Sequence, residues 1–416
     1  MPVSYSIPEN AFELPPELIE LKNLVRDIVD KECIPLEQEF LLNNAPADRH
    51  LVGGGDVRGE SLTDGWLPPA AYERLTNISK QAGIYEVNLP TEYGGAGFGV
   101  LGSFVVAEEI NRCLVRLPVA YVPNILYSCN EQQKEKYLLP VLSGEKFPAF
   151  AQSEPGAGSD PGNSMSTSAV KVDGGWVVNG TKTWISYANR AAFFMLQAVT
   201  DKEKRQRGGI TMFLLDADTP GLTMTPVNTW LTQESHVFTL YLDDVFIPDE
   251  NVLGEVGGGF QLGQSWLAVF DRLSRGYLAT GALSRGLEMA VDWAKNRETF
   301  GAPLSERQAI QWMLVDVFID IKAIRAICYD CAARADRGED IRSHAAMAKY
   351  VGANWGHRSI DNIMQVLGGI GETTETPIPH WYRLLRHGRI GGGTDEIQRI
   401  LMSRQIFNKG PEAWLA

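Results

Sequence analysis

Positive charge is in short supply in this 416-residue chain: 38 lysines and arginines stand against 51 aspartates and glutamates, a formal net charge of −13. Neither a nucleic acid nor an anionic membrane surface would find the basic footprint it needs. Cysteine is sparse too, and Cys33, Cys113, Cys129, Cys328 and Cys331 form an odd, scattered set. Such a set points to reduced thiols inside a cell, not to a disulfide framework. Cys328 and Cys331 make a CxxC in the helical-looking run AIRAICYDCAARAD, but no second pair accompanies them, so they read as structural helix residues. The six histidines, His50, His236, His344, His357, His380 and His387, show neither HxxxH nor HExxH spacing, and no metal site is expected. No stretch of about 18 apolar residues occurs. The N-terminus MPVSYSIPENAFELPPELIE lacks a basic segment followed by an apolar one. A soluble, cytoplasmic protein without stable membrane insertion is expected.

What is present is ordinary globular composition, 44% hydrophobic and 21% charged, in a chain long enough for two or three domains. From Pro15 to about Leu142 apolar residues recur at helical intervals, as with Leu18, Leu21, Val25, Ile28 and Val29. Asn43 to Gly65 has no sustained period and reads as a long loop. LPTEYGGAGFG, from Leu89 to Gly99, is a second turn-rich break. Near Phe147 the texture changes to short alternating runs separated by Gly, Asp and Pro, and helical periodicity returns from Phe260. The fold class is therefore α+β, with an N-terminal helical domain (1–146), a middle antiparallel β domain (147–254) and a C-terminal helical-bundle domain (255–416).

Five clusters could carry chemistry. In AQSEPGAGSD (151–160) glycines free the backbone to approach a ligand, and Ser153 and Ser159 offer hydroxyls; a plain turn between strands is the alternative. In NGTKTWISYA, Asn179-Gly180 reads as a tight hairpin turn, with Trp184 and Ser186 on one face of the strand that follows. That pair could stack on and hydrogen-bond to a flat heteroaromatic, or the indole could simply be core. RETFGAPLSERQAIQ places Arg297 and Phe300 at a helix-to-helix turn, where a guanidinium suits pyrophosphate; a solvated helix end with a buried Phe is the alternative. QVLGGIG (365–371) and RIGGGTDEIQR (389–399) bring glycine-rich backbone to a helix start, with Thr394 as an N-cap.

Together EPGAGSD, NGTKTWIS, RETFGAPL, QVLGGIG and GGGTDEIQR resemble the acyl-CoA dehydrogenase family in order and spacing, over roughly residues 17 to 408. The resemblance implies a helical domain, a β domain and a C-terminal four-helix bundle, assembled as a homotetramer or dimer with one FAD per subunit. It further implies that Phe150, Gln152 and Ser153 approach the isoalloxazine edge, that Trp184 packs beside it, and that Ser186 faces its N5 region. Arg297, Phe300, Gln365, Gly368 and Gly369 would meet the FAD of a neighbouring subunit, with Thr394 and Glu396 near the cofactor. Gly158 and Ser159 match positions close to FAD and the CoA arm, and Ser159, Arg272 and Gly393 would contact the substrate.

The implied reaction is α,β-dehydrogenation of an acyl-CoA, with electrons passing to an electron-transfer flavoprotein. The family most often carries its catalytic glutamate where this chain has Gly392, which leaves only a backbone N–H to polarise the thioester carbonyl. A second branch keeps its base immediately before an arginine that lies 28 positions upstream of the motif phenylalanine. Counting back 28 from Phe300 gives Arg272, so the expected base is Asp271. Aspartate is shorter than glutamate by one C–C bond, roughly 1.5 Å. From the helix pattern alone, Asp271 could equally pair with Arg275 at i,i+4 on a solvated face, and Arg272 could be a surface arginine. Glu109 to Asn130 falls in the region that closes the acyl pocket and is shorter than in straight-chain enzymes, so a branched, cyclic or otherwise unusual acyl group is expected. Leu384 stands where the family usually has an acid. Elimination or monooxygenation on the same scaffold, and a non-catalytic partner subunit of a hetero-oligomer, are the competing expectations.

Overall fold

The computed structural model describes residues 14–39, 67–231 and 237–415. The loop expected at 43–65 lies outside them, as do His50 and His236. The N-terminal helices include α1 (Pro16–Ile28), α2 (Pro69–Gln81) and α3 (Gly99–Ile110). Proline at the first helical position of α1 and α2 costs no hydrogen bond there and presets φ. α3 is apolar nearly all round, with Phe104, Val105 and Val106 buried, because it is sandwiched between helices. Its two buried glutamates face opposite neighbours: Glu109 pairs with Arg26 and Lys22 of α1, and Glu108 with Arg325 and Tyr329 of the C-terminal domain.

The middle of the chain forms β1 (Pro148–Ala151), β2 (Ser168–Val172), β3 (Gly175–Ser186), β4 (Phe193–Val199), β5 (Ile210–Asp216), β6 (Leu222–Pro226), β7 (Val237–Pro248) and β8 (Val252–Leu253). They make one eight-stranded sheet in the order β6-β7-β3-β2-β4-β5-β8, with β1 added beside β4. Most pairings are antiparallel as expected, but β1 with β4 and β2 with β4 are parallel. β4 is buried on both faces. Phe194 and Leu196 enter the core with Trp176 and Val178, while Phe193 and Met195 pack on Tyr137 and Leu138 of the N-terminal domain. Alternation along one strand thus glues the two domains together.

Asn179-Gly180 is not a hairpin turn. The β2–β3 turn is at Asp173-Gly174, and Gly180 lies inside β3 at a register shift opposite β7. A Cβ there would stand 2.4 Å from the Thr167 hydroxyl, so the glycine marks a bulge with close backbone approach.

The C-terminal domain opens with one long helix in three parts: α4 (Gly259–Trp266), a π-helical turn (Leu267–Arg272) and α5 (Leu273–Asn296). Then follow α6 (Gln308–Asp336), α7 (Arg342–Tyr350), a second π turn (Val351–Trp355), α8 (Gly356–Leu367), α9 (Ile378–Gly388) and α10 (Asp395–Lys409). α5, α6, α8 and α9 enclose one core that includes Leu283, Ile324, Ile360, Ile363 and Trp381. Cys328 and Cys331 are fully buried in it as free thiols, consistent with a structural role.

The glycine-rich segment after β1 is anchored by a buried ion pair. Glu154 accepts from Lys182 Nζ at 2.8 Å, from the Ser166 N–H and hydroxyl at 2.6 Å each, and from the Thr167 N–H at 3.0 Å. Burial pushes the Glu154 carboxyl up, but Lys182 and these donors outweigh it and hold the group at about 2. Burial draws the Lys182 ammonium down to about 8, so the pair is ionic at neutral pH. Because the Glu154 carboxyl titrates lower folded than unfolded (about 4.3), its contribution is complete above the unfolded value and fades as pH falls from there toward about 2. In thermal unfolding between pH 5 and 3, the wild type should lose Tm more steeply than Glu154→Gln. Parallel slopes would exclude the pair as an acid-sensitive anchor.

Candidate active site

Asp271 sits in the π turn between α4 and α5, and Gly392 in the loop between α9 and α10. Tertiary folding brings them into contact: a Cβ placed on Gly392 would lie 1.7 Å from Asp271 Oδ2. Gly392 also has a φ of 69°, which an L side chain rarely adopts. The carboxylate thus occupies the space from which a residue-392 side chain would start. The i,i+4 pair with Arg275 exists, Arg275 Nη2 donating to Asp271 Oδ1 at 2.9 Å, but not on a solvated face: the two side chains are 17% and 16% exposed. Oδ2 is buried and accepts no hydrogen bond from any described residue. Arg272 is likewise no surface arginine. It is 6% exposed, with its Nε unpartnered.

The loop is held from behind by residues that sequence patterns did not single out. Gln398 Nε2 donates to the Gly392 and Gly393 carbonyls at 3.2 and 2.9 Å. Thr394 caps α10 as expected, its hydroxyl accepting from the Ile397 N–H. Asp395 takes hydrogen bonds from Arg389 at 2.9 Å and Asn354 at 3.0 Å, and lies 3.7 Å from the fully buried Lys349. Burial, with Arg275 adding to it, pushes the Lys349 ammonium down to about 8, while Asp395 and Asp271 oppose that. With the carbonyls occupied, no described group accepts from the Gly392 or Gly393 N–H. Gln398 had no signal in sequence, since it is one polar residue on a helix; Lys349 had only its place in the alanine-rich AAMAKY.

A second group assembles on the β domain. The Thr183 N–H donates to the Ser153 carbonyl at 2.9 Å, so the 151–160 segment runs alongside the end of β3. There Trp184 has a φ of 62° and is 59% exposed, and Ser186 is exposed on the same side. A left-handed tryptophan that keeps its indole out of the core is strained, a condition that clusters at functional sites. The hydroxyls of Ser153 and Ser186 have no partner among the described residues, and Gly158 and Ser159 are exposed. An open aromatic wall beside free hydroxyls fits a flat heteroaromatic. Gln152 behaves differently: its amide is turned inward, donating to Gln197 Oε1 at 2.7 Å, and Gln197 donates to the Gly259 carbonyl at 2.6 Å. Phe150 packs on Trp266 with centroids 4.7 Å apart.

A third group stands apart. Arg297 is exposed, and Phe300, at the tip of a small hairpin, is 100% exposed with a φ of 51°, so it is not the buried Phe of a helix end. Gln365, Gly368 and Gly369 are exposed at the end of α8, and Glu396 in the first turn of α10.

A cavity of about 760 Å³ lies between α3, the 114–127 segment and α5. Its walls include Phe104, Leu117, Tyr121, Phe147, Tyr187, Leu273 and Tyr277, so the Glu109–Asn130 region does line a pocket. Leu384, in place of an acid, faces the same cavity, and Arg383 beside it hydrogen-bonds His380 Nδ1 at 2.8 Å. Tyr121 is 41% exposed although protein surrounds it, because its accessible surface faces the cavity. Burial, then the neighbouring Asp271 carboxylate, pushes its hydroxyl up. Leu273, two residues beyond Asp271, lines the cavity as well.

Comparison with known proteins agrees with this geometry. Residues 64–145, 149–245 and 257–407 match the N-terminal, middle and C-terminal domains of acyl-CoA dehydrogenase. The chain is 33% identical to (R)-benzylsuccinyl-CoA dehydrogenase of Thauera aromatica over 96% of its length and 97% of the relative's. It is also 33% identical to the mitochondrial short-chain specific acyl-CoA dehydrogenase of Mus musculus, over 95% and 91% of the two chains. The solved butyryl-CoA dehydrogenase of Megasphaera elsdenii superposes with a TM-score of 0.79 at 27% identity, covering 95% of this chain and 99% of that one. Matched in all three domains and along nearly its whole length, the chain belongs to the acyl-CoA dehydrogenase family and is a flavin-dependent oxidoreductase whose cofactor is FAD.

Proposed function

We propose that the chain dehydrogenates an acyl-CoA thioester to the trans-2-enoyl-CoA with Asp271 as the base, in the branch of the family that lacks the glutamate before Gly-Thr. The observation that carries this is the Asp271 carboxylate standing 1.7 Å from the position of a residue-392 Cβ, with Oδ2 buried and unpartnered. Arg275 occupies Oδ1 and so fixes which oxygen is left to take the α-proton. The π turn meets the shortness of aspartate by bringing the carboxylate up against the glycine loop; such turns recur at functional sites. The free Gly392 N–H would donate to the thioester oxygen as negative charge develops there. When bound, FAD supplies a hydride acceptor for the β-hydrogen. Trp184, Ser153 and Ser186 would hold it on the β domain, with Phe150 and the Gln152 backbone behind the first two and Gly158 and Ser159 toward the CoA arm. The buried Arg272, with its Nε unpartnered among the described residues, suits an anionic ligand group, and Gly393 would lie beside the thioester. Electrons would leave to an electron-transfer flavoprotein.

A single chain leaves part of the FAD site uncovered. Arg297, Phe300, Gln365, Gly368, Gly369 and Glu396 are exposed or open, and α6 presents Trp312, Val315, Phe318 and Ile319 on one exposed face. A contiguous apolar face of that kind marks an association surface. We therefore assign these residues to a homodimer or homotetramer in which a second copy closes the cofactor site.

Three outcomes follow. Asp271→Asn should retain FAD but lose substrate-dependent bleaching of the flavin, with turnover down about 10²–10⁴-fold; full bleaching by the variant would remove Asp271 from the base role. Gly392→Glu alone should be impaired, because its Cβ meets Asp271 and its φ is strained, whereas adding Asp271→Gly should restore part of the activity. If the single variant is as active as wild type, the shared-space argument fails. Finally, Phe318→Asp should shift the sedimentation coefficient to that of a smaller species and release FAD; a smaller species with full FAD occupancy would rule out the shared cofactor site.

A further inference from the structure

A run of three glycines has no side chains with which to hold itself, and 391–393 is such a run, with Gly392 and Gly393 at φ of 69° and 89°. Its shape is imposed from outside, largely by Asp395. The Asp395 N–H donates to the Arg389 carbonyl at 3.1 Å, and Oδ2 accepts from Arg389 Nε at 2.9 Å. One residue therefore closes 389–395 into a ring whose free span is the glycine run. Asn354, from the second π turn, donates to the same Oδ2 at 3.0 Å. Asp395 Oδ1 is buried, takes no hydrogen bond from any described residue, and faces Lys349 Nζ at 3.7 Å.

Lys349 is 0% exposed, and its Nζ donates to no described group. A buried ammonium in that condition costs stability, which an apolar side chain of similar length would not. Its helix, α7, packs against α10, α5, α6 and both π turns. The charged groups acting on it from those elements are Asp395 of α10, Arg275 of α5 and Asp271 of the first π turn. The buried carboxylate of α6, Asp320, is taken by Arg358 and Ser359, and Arg399 of α10 is turned to the Tyr350 hydroxyl. The second π turn, Val351–Trp355, has no charged residue. Arg275 and Asp271 are already paired with each other, which leaves Asp395 as the counter-charge of Lys349.

We propose that Lys349 is a positioning residue: its ammonium, acting through Asp395, clasps the 389–395 ring and so holds the Gly392 N–H where the thioester oxygen needs it. This rests on the acyl-CoA dehydrogenase reading above. Burial draws the ammonium down to about 8, against the pull of Asp395, so the clasp is charged at neutral pH and released as pH rises through that value. Global stability moves the other way. Lys349 titrates lower folded than unfolded (about 10.4), so between the two values the unfolded chain binds more protons, and this lysine's contribution to stability grows with pH. A rate that falls while that contribution grows marks positioning and not fold maintenance. Lys182, in the β domain, also titrates at about 8, so variants must assign the alkaline limb.

The test uses the holoenzyme and two readouts between pH 6.5 and 9.5. One is the rate of anaerobic flavin bleaching at saturating acyl-CoA, with the fastest of butyryl-, isobutyryl- and 3-phenylpropionyl-CoA. The other needs no acyl-CoA: hydrogen exchange of the peptide covering 389–398, corrected for the intrinsic effect of pH, in which the Gly391, Asp395 and Gln398 N–H groups are hydrogen-bonded. In the wild type both bleaching rate and protection should fall through a midpoint near 8. At pH 7 Lys349→Met should bleach about 10-fold more slowly yet bind acyl-CoA within about 3-fold of wild type, the scale of a slightly misplaced group, and it should lack the limb. Lys349→Arg, charged throughout the range, should recover rate and keep it past pH 9. If that larger side chain does not fold, Asp395→Asn takes its place and should move the limb to lower pH, because the ammonium loses its counter-charge. A Lys349→Met profile that keeps the wild-type midpoint, or a loss of rate matched by an equal loss of binding, overturns the proposal. Failure of all three acyl-CoAs to bleach the wild type sinks the dehydrogenation instead, and the exchange midpoint still decides the clasp.

Discussion

The carboxylate of Asp271 and a β-carbon at position 392 would claim the same volume, and the active-site end of the molecule is arranged around that exclusion. Glycine at 392 removes the competing atom and also permits the left-handed backbone that turns the 391–393 loop toward α5. The π turn inserts its extra residue where the long C-terminal helix passes this loop. Arg275 takes one carboxylate oxygen and Gln398 takes the loop carbonyls, leaving the other oxygen and the Gly392 and Gly393 N–H groups without a partner among the described residues. Lys349 and Asp395 sit behind, so the charges of the loop and the helix are balanced inside the protein and not by solvent.

A chain of buried polar contacts ties this end to the β domain. Lys182 joins Glu154 to the Gln152 carbonyl, the Gln152 amide joins Gln197, and Gln197 joins the Gly259 carbonyl at the first turn of α4. About three turns of helix later stands Asp271, counting the π turn. The wall that fits a flat heteroaromatic and the helix that carries the base are therefore fixed to one another through groups that cannot be lost singly without stranding a buried polar atom. Relative placement of this kind is what a reaction needs when proton and hydride leave adjacent carbons.

Exposure separates the remaining residues into two classes. Those around Asp271 are largely enclosed: Asp271 and Arg275 keep 16% and 17% of their side-chain surface and Arg272 is 6% exposed. Those around Phe300 and the outer face of α6 are exposed and apolar, which a monomer has no use for. One set defines what enters the site and the other what closes it.

Periodicity made the helix–strand–helix order legible, because amphipathic spacing records which face of each element is buried. Residue types at fixed spacing also pointed to Thr394 as an N-cap and to the Asp271–Arg275 pair, since both are local along one helix. Asn179-Gly180 misled, because the dipeptide that makes a hairpin turn also suits a bulge, and only the neighbouring Thr167 backbone decides between them. Lys349 and Gln197 carried no signal because their partners are distant in sequence, and Gln398 because it is one polar residue on a helix. That Asp271 fills the space vacated at Gly392, more than a hundred residues away, was decided by tertiary structure alone: sequence named both residues, and packing put them in one volume.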